Sequence, residues 1–338
     1  MPDDHKSKKQ PGEFELIARL CAGLPQSSRT ILGPGDDCAV LAPSRRPQLL
    51  TIDSMVESVH FNLEWLSAQQ LGARALTVNL SDIAAMGGTP HTCVVNLGIR
   101  AGLDAAFFDR LYRGLRQAAQ AAAVDIVGGN ITRSGQLTLT VALLGDVTGQ
   151  ALRRDTARIG DEIFVTGTLG DSALGWRILA GEIKAEGTAR KYLVGRFIAP
   201  AARLLQGQEL ARMRPAPAAI DISDGLLGDL GHILERSRVG AEVDLAALPR
   251  SRHYVTVAGD RLEMALSGGE DYELLFCLRP GHSEEALSRR LGVPVRRIGL
   301  IVERRRGLKL RGPDGRLLAA AAMRGWDQLA NGAAQLRK

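Results

Sequence analysis

Two stretches decide the fold class: QLLTID at residues 48–53 and SAQQLGARALTVNLSDIAAM at residues 67–86. The first is a short apolar run that ends in an acid, which is typical of a buried strand. The second repeats Ala and Leu at helical spacing and is followed by Gly87, Gly88 and Pro90, which predicts a helix that ends there. A strand followed by a helix favours an α/β organisation.

The same alternation continues along the chain. We predict further strands at 92–99, 124–127, 137–144, 162–166, 218–222 and 273–278, and further helices at 103–123, 171–180, 192–213 and 226–237. The polar, Arg-rich segment at 150–160 separates two groups of elements. We therefore predict an N-terminal domain at 12–150 and a C-terminal domain at 151–330, with short tails at 1–11 and 331–338.

Composition excludes several classes of protein. The 338 residues fit two domains at about 150 residues each. The net charge of +6, from 43 Lys+Arg and 37 Asp+Glu, is scattered, so we expect no nucleic-acid partner. No export signal and no run of 18 apolar residues is present, so we expect no membrane association. Four widely spaced cysteines favour a reducing cytoplasm.

Acidic residues recur where apolar strands or helices end. They are Asp36, Asp37, Asp53, Asp82, Asp221 and Asp224. A single Asp beside Gly is most often a turn residue or a helix cap. Several carboxylates at the strand ends of one α/β unit point to the same rim, however, and repel one another unless a cation is bound. Oxygen ligands without paired Cys or His select hard ions, Mg²⁺ before Ca²⁺, and Mg²⁺ commonly bridges carboxylates to substrate phosphates. The pattern indicates a nucleotide enzyme.

The usual phosphate-binding motifs are absent. No G-x-x-x-x-G-K-[ST] occurs, GPGDDC at 33–38 fails G-x-G-x-x-G, and no G-x-S-x-G elbow is present. A metal-rich, lysine-poor site favours phosphoryl transfer in which Mg²⁺ neutralises the phosphates. Arg153 or Arg154 is a candidate to assist, and a solvated charged linker explains both arginines equally well.

Eight sequence blocks together resemble the thiamine-monophosphate kinase family. They are GEFELIARL (12–20), GPGDDCAV (33–40), TIDSMVESVHF (51–61), ALTVNLSDIAAMGGTP (75–90), VGGN (127–130), VTGTLGDSALG (165–175), IDISDGLLGDLGHI (220–233) and SGGEDYEL (267–274). The resemblance implies the PurM-like fold of aminoimidazole ribonucleotide synthetase. In that fold an N-terminal α/β domain binds metal and ATP and contributes strands to a barrel across a homodimer, and a C-terminal α+β domain follows.

The resemblance also implies an activity and its partners. Members of the family transfer the γ-phosphoryl group of ATP to thiamine monophosphate with several Mg²⁺ ions. The products are ADP and thiamine diphosphate, so this is the last step of thiamine diphosphate biosynthesis.

The resemblance places functional residues by motif. Family metal positions fall on Asp36, Thr51, Ile52, Asp53, Asp82, Asn130, Asp221 and Asp224, and among these Asp36, Asp53, Asp82 and Asp221 form the catalytic set. Nucleotide positions fall on Tyr112, Gly129, Asn130, Arg154 and Ser223, and substrate positions fall on His60, Glu270, Asp271 and Trp326. An indole face attracts the cationic thiazolium of thiamine. Core packing is the alternative role for Tyr112, His60 and Trp326.

Three positions depart from the family pattern. Ile52 replaces a frequent Thr and offers only its backbone carbonyl, and Asn130 replaces a frequent Asp and keeps one carbonyl oxygen without the charge. Ser58 stands where Gly is common, next to the loop that carries His60. We therefore expect Ile52 and Asn130 to weaken the binding of one metal ion, and Ser58 to alter the loop geometry near His60.

Three functions remain in competition. The first is the kinase, the second is another ATP-using synthetase of the same fold, and the third is a nucleotide-binding regulator that lost turnover through Ile52 and Asn130. The retained acids argue against the third, because a chain without catalysis has little reason to keep a repulsive acid cluster.

Overall fold

The computed structural model describes residues 12–24 and 26–319. The elements in the first part of the chain are α1 (Glu13–Cys21), β1 (Thr30–Leu32), β2 (Val40–Leu41), β3 (Gln48–Val56), α2 (Ala68–Ala85), β4 (Gly88–Ile99), α3 (Ala105–Ala121), β5 (Asp125–Arg133) and β6 (Thr138–Val147). Strands and helices alternate as the apolar pattern predicts.

The second part of the chain mixes strands with shorter helices. Its elements are β7 (Glu162–Thr166), α4 (Asp171–Leu179), α5 (Gly187–Ile198), α6 (Leu204–Ala211), β8 (Ala218–Asp221), α7 (Leu226–Ser237), β9 (Gly240–Asp244), α8 (Arg252–Ala258), α9 (Glu263–Ser267), β10 (Leu274–Leu278), α10 (Glu284–Leu291), β11 (Val295–Val302), β12 (Leu308–Arg311) and β13 (Leu317–Ala319). Short 3₁₀ turns lie at Leu245–Ala247 and Arg304–Arg306.

Two compact units divide the described residues. The first unit contains the residues up to Pro43 together with Ile52–Leu76 and His91–Ala142. The second unit contains Ser44–Thr51, Thr77–Pro90 and the chain from Leu143 onward. The domain boundary that we predict near residue 150 stays a prediction.

A four-stranded sheet with the order β3-β6-β4-β5 organises the first part of the chain. Strand β5 runs parallel to β4, from the pair Thr92 and Asp125 to the pair Ile99 and Arg133. It extends beyond the predicted end at 127 because glycine permits close approach to β4. A Cβ atom at Gly129 would lie 1.9 Å from the carbonyl oxygen of Val95.

Helices α2 and α3 cross closely within the first unit. A Cβ atom at Gly72 would lie 2.0 Å from the carbonyl oxygen of Leu111, and one at Gly114 would lie 1.8 Å from that of Gln69. Helix α3 begins at its N-cap Asp104, whose carboxylate accepts a 2.8 Å hydrogen bond from the Phe107 amide. The glycines therefore allow the two helix backbones to touch.

One face of the four-stranded sheet exposes apolar side chains. Ile52 on β3 is 64 % exposed and Val94 on β4 is 41 % exposed. Ser54, two residues after Ile52 and so on the same face, forms a 2.7 Å hydrogen bond with Thr140 on β6. Met55, whose side chain points to the opposite face, is buried. One face of the sheet is therefore covered and the other is exposed.

The second unit is built around a seven-stranded sheet with the order β13-β12-β9-β11-β7-β10-β8. Residues of one face, such as Val165 and Leu275, pack with buried residues of α4, α5, α7 and α8. On the other face, Phe164 and Phe276 stack with ring centroids 5.6 Å apart and join buried residues of α6 and α10. The sheet therefore lies between two helical layers, which leaves its strands apolar on both faces.

The α/β and α+β fold class is confirmed, and one predicted helix is wrong. The helix expected at 192–213 is two helices, α5 and α6, separated by Ala199 to Arg203. Pro200 disfavours helical geometry at Ala199 and cannot donate a helical hydrogen bond. In the part of the chain that the structure covers, no helix combines the length and the apolar character needed to cross a membrane.

Candidate active site

Four polar side chains meet within the second unit. Thr51 on β3 donates a hydrogen bond to the carboxylate of Asp82 in α2. Ser81, the preceding residue of α2, donates a 2.7 Å hydrogen bond to Asp221, the last residue of β8. Ser81 and Asp221 are buried, and Asp82 is half-buried. The predicted metal residues Thr51, Asp82 and Asp221 are therefore brought together.

Burial disfavours the charged forms of the two carboxyl groups at this position. Burial and then the nearby Asp82 raise the pKa of Asp221 to about 6. Burial likewise raises the pKa of Asp82, against the hydrogen bond from Thr51 and the charge of Arg154. With raised pKa values, these two carboxyl groups hold a proton more readily than they would in water.

Arg154 is the nearby cation that opposes this effect. Its charge lowers the pKa of both Asp82 and Asp221. Arg153 instead pairs with Asp155, with Nε 2.8 Å from Oδ1. From sequence spacing alone, either arginine was a candidate to assist the acids. In the structure it is Arg154 whose charge acts on Asp82 and Asp221.

The segment from Asp221 to Gly225, which we call the nucleotide loop, is held by a buried carboxylate. The amides of Ser223 and Asp224 both donate 3.1 Å hydrogen bonds to Oδ2 of Asp229 in α7. Gly225 has φ of +105°, a conformation that L side chains rarely adopt. This turn carries Ser223 and Asp224, which we predict as nucleotide and metal residues, directly after Asp221.

Asp229 and His232 belong to this region and were missed from the sequence. With Asp224 they offer ligand atoms that all lie within 4.8 Å of one another. Burial, and then Asp221 and Asp224, raise the pKa of Asp229 to about 8. Asp229 and His232 are three residues apart, which puts both on one face of α7. That spacing was the signal in the sequence that could have identified them.

The segment from residue 267 to residue 272, which we call the substrate loop because it carries the predicted substrate residues Glu270 and Asp271, pairs with the nucleotide loop. The amide of Glu270 donates to the carbonyl oxygen of Ser223 at 2.8 Å, and that of Tyr272 donates to Ile222 at 2.8 Å. Glu270 is half-buried and accepts a 3.3 Å hydrogen bond from the Tyr272 hydroxyl. Asp271 instead is buried, and burial raises the pKa of its carboxyl group well above the usual range.

Several predicted metal residues belong to the first unit. Asp36, in the turn between β1 and β2, is exposed, as is its neighbour Asp37. Asp53 on β3 is half-buried, and the Ile52 side chain lies on the exposed sheet face. Because strand residues alternate between faces, the Ile52 side chain points away from the side that carries Thr51.

The predicted nucleotide residues of the first unit lie in different environments. Tyr112 in α3 is buried, and that burial raises the pKa of its hydroxyl group. Gly129 and Asn130 on β5 are exposed. The side-chain amide of Asn130 donates a 3.1 Å hydrogen bond to Oδ1 of Asn96 on β4, which leaves the Asn130 carbonyl oxygen directed away from that bond.

His60 is a neutral hydrogen-bond donor in the first unit. Its Nδ1 accepts a 3.1 Å hydrogen bond from the Val56 amide. Burial and then the charge of Arg74 lower the pKa of His60. The proton of the neutral ring is therefore on Nε2, which is buried and has no hydrogen-bond partner among the described residues. Trp326, the last predicted substrate residue, lies outside the residues that the structure describes.

Comparison with protein families first defines a class. The N-terminal domain of AIR synthase related proteins matches residues 35–147, and the C-terminal domain of the same proteins matches residues 158–309. The chain is thus a two-domain protein of the AIR synthase related class.

Individual relatives narrow this class. The thiamine-monophosphate kinase of Escherichia coli (strain K12) is 42 % identical over 299 residues, which cover 85 % of this chain and 90 % of that protein. The crystal structure of thiamine-monophosphate kinase from Stenotrophomonas maltophilia is 36 % identical with a TM-score of 0.78, covering 90 % of this chain and 98 % of that one. The chain belongs to the thiamine-monophosphate kinase family.

A further similar structure is AaThiL complexed with AMPPCP and TMP. It is 32 % identical with a TM-score of 0.72, and the match covers 86 % of this chain and 90 % of that chain. A relative of similar fold thus binds an ATP analogue and TMP together.

Proposed function

We propose that this chain transfers the γ-phosphoryl group of ATP to thiamine monophosphate and forms thiamine diphosphate and ADP. The observation that carries the proposal is the pair of carboxylates Asp82 and Asp221, each with a raised pKa. Such a pair is costly without a cation, and a Mg²⁺-nucleotide supplies one. Membership of the family and the relative that binds AMPPCP and TMP support the same assignment.

The donor atoms fit Mg²⁺. They are carboxylate, hydroxyl and amide oxygens, which hard divalent cations prefer. In the second unit the proposed ligands are Thr51, Asp82, Asp221 and Asp224, and in the first unit they are Asp36, Asp53, Asn130 and the backbone carbonyl of Ile52. When bound, Mg²⁺ would neutralise phosphate charge and so reduce the repulsion between two polyanionic substrates.

The remaining residues bind and orient the substrates. We assign ATP to Arg154 and Ser223 in the second unit and to Tyr112 and Gly129 in the first. Arg154 supplies a positive charge for the phosphates.

Thiamine monophosphate has its own proposed residues. His60 offers the N–H of a neutral ring, and Glu270 offers a carboxylate that suits the cationic thiazolium. We keep Trp326 as a proposed cation–π partner of the same ring.

The reaction needs no strong general base. The acceptor is a phosphate oxygen that is largely anionic near neutral pH. It attacks the γ-phosphorus in line while the bond to the β–γ bridging oxygen breaks, and ADP leaves with that electron pair. Catalysis then consists of positioning and electrostatic stabilisation, and we expect no phosphorylated enzyme intermediate.

A product assay tests the proposal. Purified protein is incubated with ATP, Mg²⁺ and thiamine monophosphate, and thiamine diphosphate is measured by chromatography. We expect product from the wild type, a loss of at least about 100-fold in Asp82→Asn, and normal activity in Asp260→Asn, a control at a fully exposed acid.

The competing functions give different results. ADP formation that thiamine monophosphate does not stimulate would favour another synthetase of the same fold. Binding of ATP without any product would favour a regulator.

We also propose a homodimer in which the four-stranded sheets of two chains form one barrel. The exposed Ile52 and Val94 support this, because apolar side chains on an uncovered sheet face are typical of an interface. Sedimentation equilibrium should give a dimer, and Ile52→Lys should weaken it, whereas Val255→Lys on α8 should not. A monomeric wild type would refute the dimer.

The four cysteines Cys21, Cys38, Cys93 and Cys277 are free thiols. They fit a reducing compartment, so we place the reaction in the cytoplasm.

A further inference from the structure

The substrate loop contains a buried acid, Asp271, whose carboxylate is bound by backbone amides. Oδ2 of Asp271 accepts a 2.6 Å hydrogen bond from the Gly170 amide, and Oδ1 accepts a 3.3 Å hydrogen bond from the Ser172 amide. The residue is 2 % exposed. Both carboxylate oxygens are therefore occupied by the backbone at the start of α4.

The backbone on both sides of Asp271 is strained. Glu270 has φ of +70° and Tyr272 has φ of +52°. Left-handed conformations are unfavourable at residues other than glycine and persist only where the surroundings enforce them. The two hydrogen bonds to Asp271 lie between these residues and offset part of the strain.

The strained backbone directs Glu270 next to the nucleotide loop. The Glu270 amide donates to the Ser223 carbonyl at 2.8 Å. Gly269 comes so close that a Cβ atom there would lie 2.4 Å from the same Ser223 oxygen. The position of Glu270 therefore depends on a precise fit of the substrate loop.

We propose that Asp271 is a positioning residue, which fixes Glu270 for thiamine monophosphate without touching the substrate. The inference rests on the proposed function. It replaces the direct substrate contact that the family resemblance implies for Asp271. Asp271 then acts on substrate binding only through Glu270.

A double-mutant cycle tests this dependence. Asp271→Asn should raise the KM for thiamine monophosphate about 10-fold, with kcat changed less than about 3-fold, because a displaced loop presents Glu270 poorly. Glu270→Gln should raise the same KM. Adding Asp271→Asn to Glu270→Gln should change the KM less than about 2-fold, because the positioned group is already altered.

Glu273→Gln is the matched control. Glu273 is also buried and lies two residues away, but its carboxylate pairs with Arg196 and Arg203. This variant should lower the Tm and leave the KM for thiamine monophosphate within about 2-fold of the wild type. A merely structural role of Asp271 predicts instead that the two variants behave alike.

Several outcomes would overturn the inference. One is an equal rise in KM from Asp271→Asn in both backgrounds, and another is a similar rise in Glu273→Gln. If Asp271→Asn does not fold, Gly269→Ala takes its place, because its Cβ pushes the substrate loop from Ser223. A wild-type KM in that variant would also overturn the inference. A wild type that makes no thiamine diphosphate would instead refute the proposed function.

Discussion

The hydroxyl group of Ser81 donates a 2.7 Å hydrogen bond to the carboxylate of Asp221, which lies 140 positions further along the chain. This bond lowers the pKa of Asp221, whereas burial and Asp82 raise it to about 6. Burial, together with Asp82 and Ser81 from a helix distant in sequence, thus sets the charge state of Asp221 near neutral pH.

Removing that hydroxyl group should make Mg²⁺ binding more sensitive to pH. In Ser81→Ala the pKa of Asp221 rises further, so a proton competes better with the cation. We expect several-fold more Mg²⁺ to be needed at pH 6 and nearly the wild-type amount at pH 8, measured by Mn²⁺ binding and by product formation. Ser54→Ala, on the exposed sheet face, is the control. An equal effect at both pH values would contradict the explanation.

Asp229 should reduce the stability of the metal-free protein as pH rises. Its folded-state pKa of about 8 exceeds its ordinary value of 3.8. The folded chain therefore binds this proton more tightly, and the resulting stability is present below about pH 4 and lost as pH rises to about 8. Asp229→Asn keeps an oxygen for the amides of Ser223 and Asp224 but cannot ionise.

The Tm of Asp229→Asn should therefore equal the wild-type Tm near pH 4 and exceed it increasingly toward pH 8. The expected shift is about 2–4 °C for each kcal/mol. Thermal unfolding without Mg²⁺ measures it, with Asp260→Asn as the exposed control. A difference that does not depend on pH would show that ionisation is not the cause.

Substitutions of Arg154 and Arg153 should have very different effects on the use of ATP, although the two residues are neighbours. Arg154 acts on Asp82 and Asp221, whereas Arg153 is engaged by Asp155 at the surface. We expect Arg154→Gln to lower kcat/KM for ATP roughly 10- to 100-fold and Arg153→Gln to stay within about 2-fold. Steady-state kinetics at fixed Mg²⁺ measures both, and equal losses would remove the distinction.

Restoring the residues that are frequent in the family at positions 52 and 130 should affect Mg²⁺ binding to different extents. The side chain of Ile52 is on the exposed face, so Ile52→Thr should leave the Mg²⁺ midpoint within about 2-fold. Asn130→Asp adds a carboxylate at a predicted ligand and should lower that midpoint several-fold. Isothermal calorimetry with Mg²⁺ and AMPPCP provides a readout without turnover. A lower midpoint in Ile52→Thr would show that its hydroxyl group reaches the metal.

The contact between α2 and α3 should tolerate no side chain at Gly72. Gly72→Ala places a Cβ atom 2.0 Å from the Leu111 carbonyl oxygen, so we expect a loss of about 2 kcal/mol or more. Gly231 in α7 has open space around it, and Gly231→Ala should be neutral or stabilising by up to about 1 kcal/mol. Denaturant unfolding compares the two, and similar values would argue against the close approach.

The spacing of apolar residues and the positions of Gly and Pro predicted most of the helices and strands. The helix at 226–237 has the bounds of α7, and the strand at 162–166 has those of β7. The helix predicted at 192–213 is wrong because Pro200 interrupts it, although the apolar pattern continues past that residue. The family followed from motifs, since Asp and Gly at strand ends are visible without coordinates.

What the sequence by itself determined is the class of fold and the order of the elements, because these depend on neighbouring residues. Only the tertiary structure decided that Ser81 reaches Asp221, that Asp271 is buried on the amides of Gly170 and Ser172, and that Asp229 lies close to Asp224 and His232. Burial and contacts between distant residues set a carboxyl group's pKa and its available atoms. Those contacts exist only once the chain is packed.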